Sequence, residues 1–131
     1  MSMFILACSS NDDDSASDDV NIEINPPTWI HGTWTAENPT AEASKFLFTK
    51  SNVYQYHEDG MYSYAEMIEL YRLNGSSVIV EEEVEDDYYS LIIQFPNPTG
   101  EVDLRFRLKE NKDLIWLNQE DETDESRIFR K

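Results

Sequence analysis

A single cysteine, two histidines and a dense set of carboxylates are the side chains of this 131-residue chain with the most chemistry available to them. A thiol or hydroxyl nucleophile needs a base beside it. Cys8 has neither His31 nor His57 near it in sequence, and no Gly-x-Ser-x-Gly elbow occurs. The histidines lack the His-Glu-x-x-His spacing that places two imidazoles on one zinc ion, and a lone histidine on a strand reads as structural. The run Glu81-Glu82-Glu83-Val84-Glu85-Asp86-Asp87 has charge enough for calcium but not the glycine and spacing of a calcium loop. It reads as a solvated face. Among so many carboxylates, no general acid/base pair stands out without a cleft to select it. The expectation is a protein that is not an enzyme and uses no metal and no cofactor.

Charge narrows the partners. The chain carries 27 acidic and 10 basic residues, a formal charge of −17. Removing the five acids of the front segment (Asp12, Asp13, Asp14, Asp18, Asp19) still leaves −12 on the remainder. Such a surface repels nucleic-acid phosphates, whose binding begins with Lys and Arg, and it repels anionic headgroups as well. A protein partner with a basic rim is the favoured match, gaining mainly in on-rate. With one cysteine there is no disulfide framework, so stability must come from packing, in a chain expected to be a monomer.

Residues 9–19 hold only Ser, Asn, Asp and Ala, too little apolar area to offset ordering entropy; they read as a disordered leash. From Val20 the period is two. Val20, Ile22 and Ile24 alternate until Pro26-Pro27, and Trp29 to Trp34 follows as a strand. Phe46 and Phe48 share one face, as do Tyr54 and Tyr56, and Asp59-Gly60 signals a hairpin. Met61 to Leu73 alternates at Tyr62 and Tyr64 but then carries the adjacent pairs Met67-Ile68 and Leu70-Tyr71. The favoured reading is a strand bulged near Glu66, with Asn74-Gly75 as a second hairpin turn; a helix over 65–73 is the alternative. Val78, Val80 and Val84 are expected to face inward and Glu81, Glu83 and Glu85 outward. Leu91, Ile93 and Phe95 follow, then the loop Pro96-Asn97-Pro98-Thr99-Gly100. Val102, Leu104, Phe106 and Leu108 alternate cleanly with Asp103, Arg105, Arg107 and Lys109, whose cations are expected to meet glutamates across strands. Leu114 to Leu117 is apolar on both faces and therefore central, and Arg127 to Arg130 closes the chain. Short strands at this spacing predict an all-β fold, a small antiparallel β-barrel of about eight strands, lipocalin-like or OB-like, over residues 20–131.

Two stretches resemble known families. Ile5-Leu6-Ala7-Cys8 resembles the bacterial lipobox, in which the cysteine is acylated and becomes the first residue of the mature chain. Residues 1–7 are then the remnant of a signal peptide, and 8–19 a lipidated leash. Only Met1 to Phe4 precede the box, without Lys or Arg, whereas a leader needs a basic and a longer apolar region; the expectation is that Met1 is internal to a longer leader. Ser9, Ser10, Asp12, Asp13 and Asp14 resemble the acidic tag that sends Bacteroidetes lipoproteins to the outer face of the outer membrane, which implies a lipid-anchored, cell-surface location. Gly32-Thr33-Trp34 is similar to the Gly-x-Trp of lipocalin-like proteins, where the tryptophan plugs the barrel end and a late arginine packs on it; Arg127 and Arg130 are both candidates.

Two functions follow as expectations. The first is a surface-anchored lipoprotein that binds a protein, most concretely a secreted protease, with a metalloprotease favoured. In layout it resembles the potempins, barrel-shaped protease inhibitors of Bacteroidetes. The candidate contact is Pro96, Asn97, Pro98 and Thr99, where two prolines reduce the entropy lost on docking. The second is a lipocalin-like carrier of an apolar or aromatic ligand, lined by Trp34, Phe46, Phe48, Tyr54, Tyr56, Tyr62 and Tyr64. A cavity among these rings would favour the carrier; rings that fill the barrel would count against it.

Overall fold

The computed structural model describes residues 23–40, 43–117, 121 and 123–131. Alternating apolar residues build nine strands: β1 (Gly32–Ala36), β2 (Lys45–Phe48), β3 (Val53–His57), β4 (Gly60–Ser63), β5 (Ile79–Val84), β6 (Tyr88–Gln94), β7 (Glu101–Leu108), β8 (Leu114–Trp116) and β9 (Ile128–Arg130). One helix, α1 (Tyr64–Leu73), joins β4 to β5, and a 3-10 turn spans Thr28–Ile30. The strands form one antiparallel sheet in the order β4-β3-β2-β1-β9-β8-β7-β6-β5. Cys8 and the tag Ser9, Ser10, Asp12, Asp13 and Asp14 lie outside the described residues.

The sheet is curled into a half-barrel. In a flat sheet β2 and β7, four places apart, would be separated by about 19 Å. Instead Phe46 and Phe48 of β2 meet Phe106 of β7 at ring-centre distances of 5.0 and 5.1 Å. The concave face buries Trp34, Phe46, Phe48, Val53, Tyr89, Leu91, Ile93, Leu104, Phe106, Leu114, Trp116 and Phe129. Edge-on ring contacts continue from Phe46 to Trp116 (5.1 Å) and from Phe48 to Tyr89 (6.2 Å), the arrangement that aromatic quadrupoles favour. The alternation read along β6 and β7 is borne out, and β8 is buried at every position.

The sheet stops short of closure: β4 and β5 are its two edges. What the barrel lacks in strands is supplied by α1 and residues 23–31. Ile24, Ile30, Tyr64 and Ile68 are all buried in the same core. Residues 23–31 are laced to β1, to β5 and the residue after it, and to α1 by four contacts. Asn25 N–H donates to Glu82 Oε2 (2.7 Å), Trp29 Nε1–H to the Glu85 carbonyl (3.0 Å), Trp34 Nε1–H to the Ile30 carbonyl (2.8 Å), and Arg72 pairs with Glu23 (3.2 Å).

Three local readings are corrected. Residues 64–73 are helical, not a bulged strand. Ser63-Tyr64-Ala65-Glu66 has the Ser-x-x-Glu form of a capping box, and Ser63 Oγ accepts from Glu66 N–H. Asn74-Gly75 is the helix end, not a hairpin: Gly75 has φ +86°, its N–H donates to Arg72 O (3.0 Å), and Ser76 N–H donates to Tyr71 O (2.9 Å). Those two bonds are a Schellman motif, for which glycine is suited. Of the stretch Trp29–Trp34, only Gly32 to Trp34 are strand, the start of β1; Trp29 and Ile30 belong to the 3-10 turn, because Ile30 N–H and His31 N–H bond back to Pro27 O and Thr28 O.

Val78, just before β5, is buried, and on β5 Val80 is half-buried but Val84 is exposed at the strand end. The inward position between Val80 and Val84 is taken by Glu82. Its Oε2 also accepts from Tyr89 Oη–H (2.6 Å). Burial, then the hydrogen bond to Glu82 and its charge, push the Tyr89 phenol far above the ordinary tyrosine range. A raised folded-state pKa means stability that is intact below the unfolded value of about 10 and lost above it, at about 1.4 kcal/mol per pH unit. Tyr89→Phe is expected to remove this component, so the slopes of stability against pH in denaturant titrations should be about equal at pH 9 and diverge towards about one proton by pH 11. Parallel slopes would mean Tyr89 ionises freely.

Partners of the outward cations can be named. Arg105 forms a two-pronged bond with Asp103 on its own strand (2.8 and 3.0 Å), Arg107 lies over the cross-strand Tyr88 ring (5.6 Å), and Lys109 pairs with Glu125 (2.7 Å).

Candidate functional site

Strict antiparallel order sorts the connections to two ends. Residues 37–40, 43–44, 58–59, 74–78, 95–100, 117, 121 and 123–127 lie at one end, here termed the loop end. Turns 49–52, 85–87 and 109–113 lie at the other, with the start of α1.

At the loop end, Pro96 to Gly100 is held twice. Thr99 N–H donates to Pro96 O (3.1 Å) and Phe95 N–H to Gly100 O (3.0 Å), closing a tight turn with Gly100 at φ +81°. From α1, the Tyr71 ring packs on buried Phe95 at 4.8 Å, and the Tyr71 hydroxyl hydrogen-bonds Thr99 Oγ1. Asn97, Pro98 and Thr99 are left exposed. Leu70 and Leu73, one turn of helix around Tyr71, are 60% and 75% exposed, and Ile79, which pairs with Gln94 at the start of β5, is 53% exposed. Arg72, beside them, bonds Glu23 and the Val78 carbonyl (2.9 Å). The result is a rigid, proline-bearing loop next to solvent-facing leucines. Sequence reading identified the loop but missed Leu70, Tyr71 and Leu73, since a strand would have set them on alternating faces. The available signal was the capping box.

The residues expected to line a ligand space separate into three groups. Trp34, Phe46, Phe48 and Tyr64 are core. Tyr54 and Tyr56 lie on the convex face, opposite Leu47 and Lys45, and Lys45 Nζ sits 4.8 Å over the Tyr56 ring. Tyr62 is on the edge strand, 45% exposed, with the His57 ring packed against it, tilted, at 4.4 Å. No common cavity lies among these seven, because β3 turns two of them outward. The cation over Trp34 is neither Arg127 nor Arg130. Lys131 Nζ lies 5.2 Å above that ring, while Arg127 covers Trp116 at 4.2 Å and Arg130 binds Asp113.

Among the described residues no group of three or more His, Cys, Asp or Glu side chains is arranged to hold a metal ion, and no helix is long and apolar enough to cross a membrane. No family model, curated protein or solved structure matches the chain. The fold itself defines the class: an antiparallel half-barrel, completed by a helix and an N-terminal strap and filled by its own rings.

Proposed function

We propose that this is a non-catalytic binding module that recognises a protein partner through its loop end, most concretely as an inhibitor of a secreted protease, with a metalloprotease favoured. The observation that carries the reading is the Pro96–Gly100 loop, braced by Tyr71 and flanked by exposed Leu70 and Leu73. A braced loop loses little entropy on docking, and a small apolar cluster with a polar surround is the usual form of an interface hot spot. The ring-packed interior favours this reading over a lipocalin-like carrier, which needs that space for its ligand. The formal charge of −17 suits a partner with a basic rim.

The test is a titration of a soluble chain beginning near Val20 against a panel of metalloproteases and serine proteases. Saturable inhibition at micromolar or lower concentration is expected. No inhibition, together with a lipid or small molecule retained through purification, would return the carrier.

In the same reading Cys8 tethers the module to the outer membrane, facing outward. Radiolabelled palmitate should be incorporated, and incorporation should be lost in Cys8→Ser. An unmodified Cys8 thiol in native membrane fractions would refute the tether. A single acyl chain holds a membrane only marginally, whereas two or three hold it stably, so the mature N-terminus is expected to carry more than one.

A further inference from the structure

A second feature of the loop end lies between β1, β8 and β9, in the middle of the sheet order and away from α1. It is a cavity of about 190 Å³. Its apolar lining comes from Trp116, Ile128 and Phe129, with Ala36 and Ala43 in place of larger side chains. Its polar lining includes Thr40 and Arg127. In a chain with 27 acidic residues, no Asp or Glu is among the described residues that line it. The Arg127 guanidinium is fixed over the Trp116 ring at 4.2 Å, and the Arg127 carbonyl accepts from Trp116 N–H (3.0 Å), so ring and cation are positioned together. Asp124, a nearby carboxylate in the same loop, is held by Ser126, whose N–H donates to it at 3.0 Å. The Ser126 hydroxyl, then that backbone bond, and after them the Arg127 charge keep Asp124 below the usual carboxylate range.

We propose that this cavity binds a small monocarboxylic acid with an aromatic or branched apolar body. The body lies against Trp116 and Phe129 and the carboxylate on Arg127. A planar guanidinium matches a carboxylate in two parallel hydrogen bonds. A monoanion is also the charge that one arginine offsets in an acidic protein. At 190 Å³ the space is below the roughly 300 Å³ where drug-sized sites begin, which limits the ligand to about ten non-hydrogen atoms. The site shares no residue with the Pro96–Gly100 surface, so it stands independently of the partner reading.

The experiment follows the Trp116 indole N–H resonance of the full chain while phenylacetate is added, with phenylacetamide as the neutral analogue of the same shape. Phenylacetate is expected to shift that resonance saturably, with a Kd of about 1 mM or tighter. The amide should bind about tenfold more weakly or worse, and Arg127→Gln should lose about as much. Ala36→Leu, which fills the cavity while keeping Arg127, should abolish binding in a chain whose spectrum is otherwise folded. Equal binding of acid and amide, undiminished binding by Ala36→Leu, or no Trp116 shift at about 10 mM would each overturn the proposal.

Discussion

Phe46→Ala is expected to lose about 3–5 kcal/mol of folding stability, the cost of deleting a fully buried ring that its surroundings cannot replace. Phe46 sits where the two halves of the curled sheet meet. Its ring lies 6.0 Å from Phe48, 5.0 Å from Phe106, 5.1 Å from Trp116 and 5.2 Å from Phe129. Those neighbours come from β2, β7, β8 and β9, so one truncation loosens four strands. Against a typical domain stability of about 5–15 kcal/mol, this is a large share, and the melting temperature should fall by roughly 10–20 °C. Urea titration with an unchanged m-value is the check. A loss below about 1 kcal/mol would mean a loosely filled interior with room for cargo, which would favour the carrier over the binding module.

The second large effect comes from a polar side chain. Asn52 is buried, and its amide holds the β2–β3 turn to the start of α1. Its Oδ1 accepts from Val53 N–H (2.7 Å) and Ala65 N–H (2.9 Å), and its Nδ2 donates to Ser63 Oγ (2.9 Å). Asn52→Ala strands two backbone donors away from water, each worth about 1–3 kcal/mol. A total of about 2–4 kcal/mol is expected. Asn111→Ala is the control. Asn111 Oδ1 accepts from Asp113 N–H (3.0 Å) in an exposed turn, where water can substitute, so its loss should stay within about 0.5 kcal/mol. Equal losses in the two variants would show that burial is not what makes Asn52 costly. Because Asn52 positions α1, its loss should also loosen the brace on the Pro96–Gly100 loop, readable as faster amide exchange at Thr99.

Much of the sheet could be read from period two. Val102 to Leu108 and Leu91 to Phe95 declared their inward faces, and the unbroken apolar run at Leu114 declared a central strand. Ring direction was harder. Tyr54 and Tyr56 alternate as plainly as Phe46 and Phe48, and periodicity alone does not say which pair faces in. Register decides it: Gln55 pairs with Phe46, and with Val53 it takes the inner face. The helix was hidden by the Tyr62/Tyr64 alternation running straight into it, and by Asn74-Gly75, a dipeptide that serves a hairpin and a helix end equally well. Glu82 was hidden inside an acidic run, although its parity with Val80 and Val84 marked it as an inward carboxylate. The loop Pro96–Gly100 was visible from its prolines. That Leu70, Tyr71 and Leu73 stand beside it depends on α1 crossing the gap between the sheet edges, which no local pattern encodes.

The loop-end account is tested most directly by the inhibition constant of the soluble chain against the most sensitive protease of the panel, compared with a Leu70→Asp, Leu73→Asp variant. Both leucines are solvent-facing, so the variant should fold with unchanged thermal stability. Each substitution removes a leucine buried on docking, worth about 1.5–3 kcal/mol, and would leave an unpaired carboxylate in the interface, so inhibition is expected to weaken by at least about a hundredfold. An unchanged inhibition constant in the folded variant, or a panel in which neither chain inhibits any protease, would contradict it.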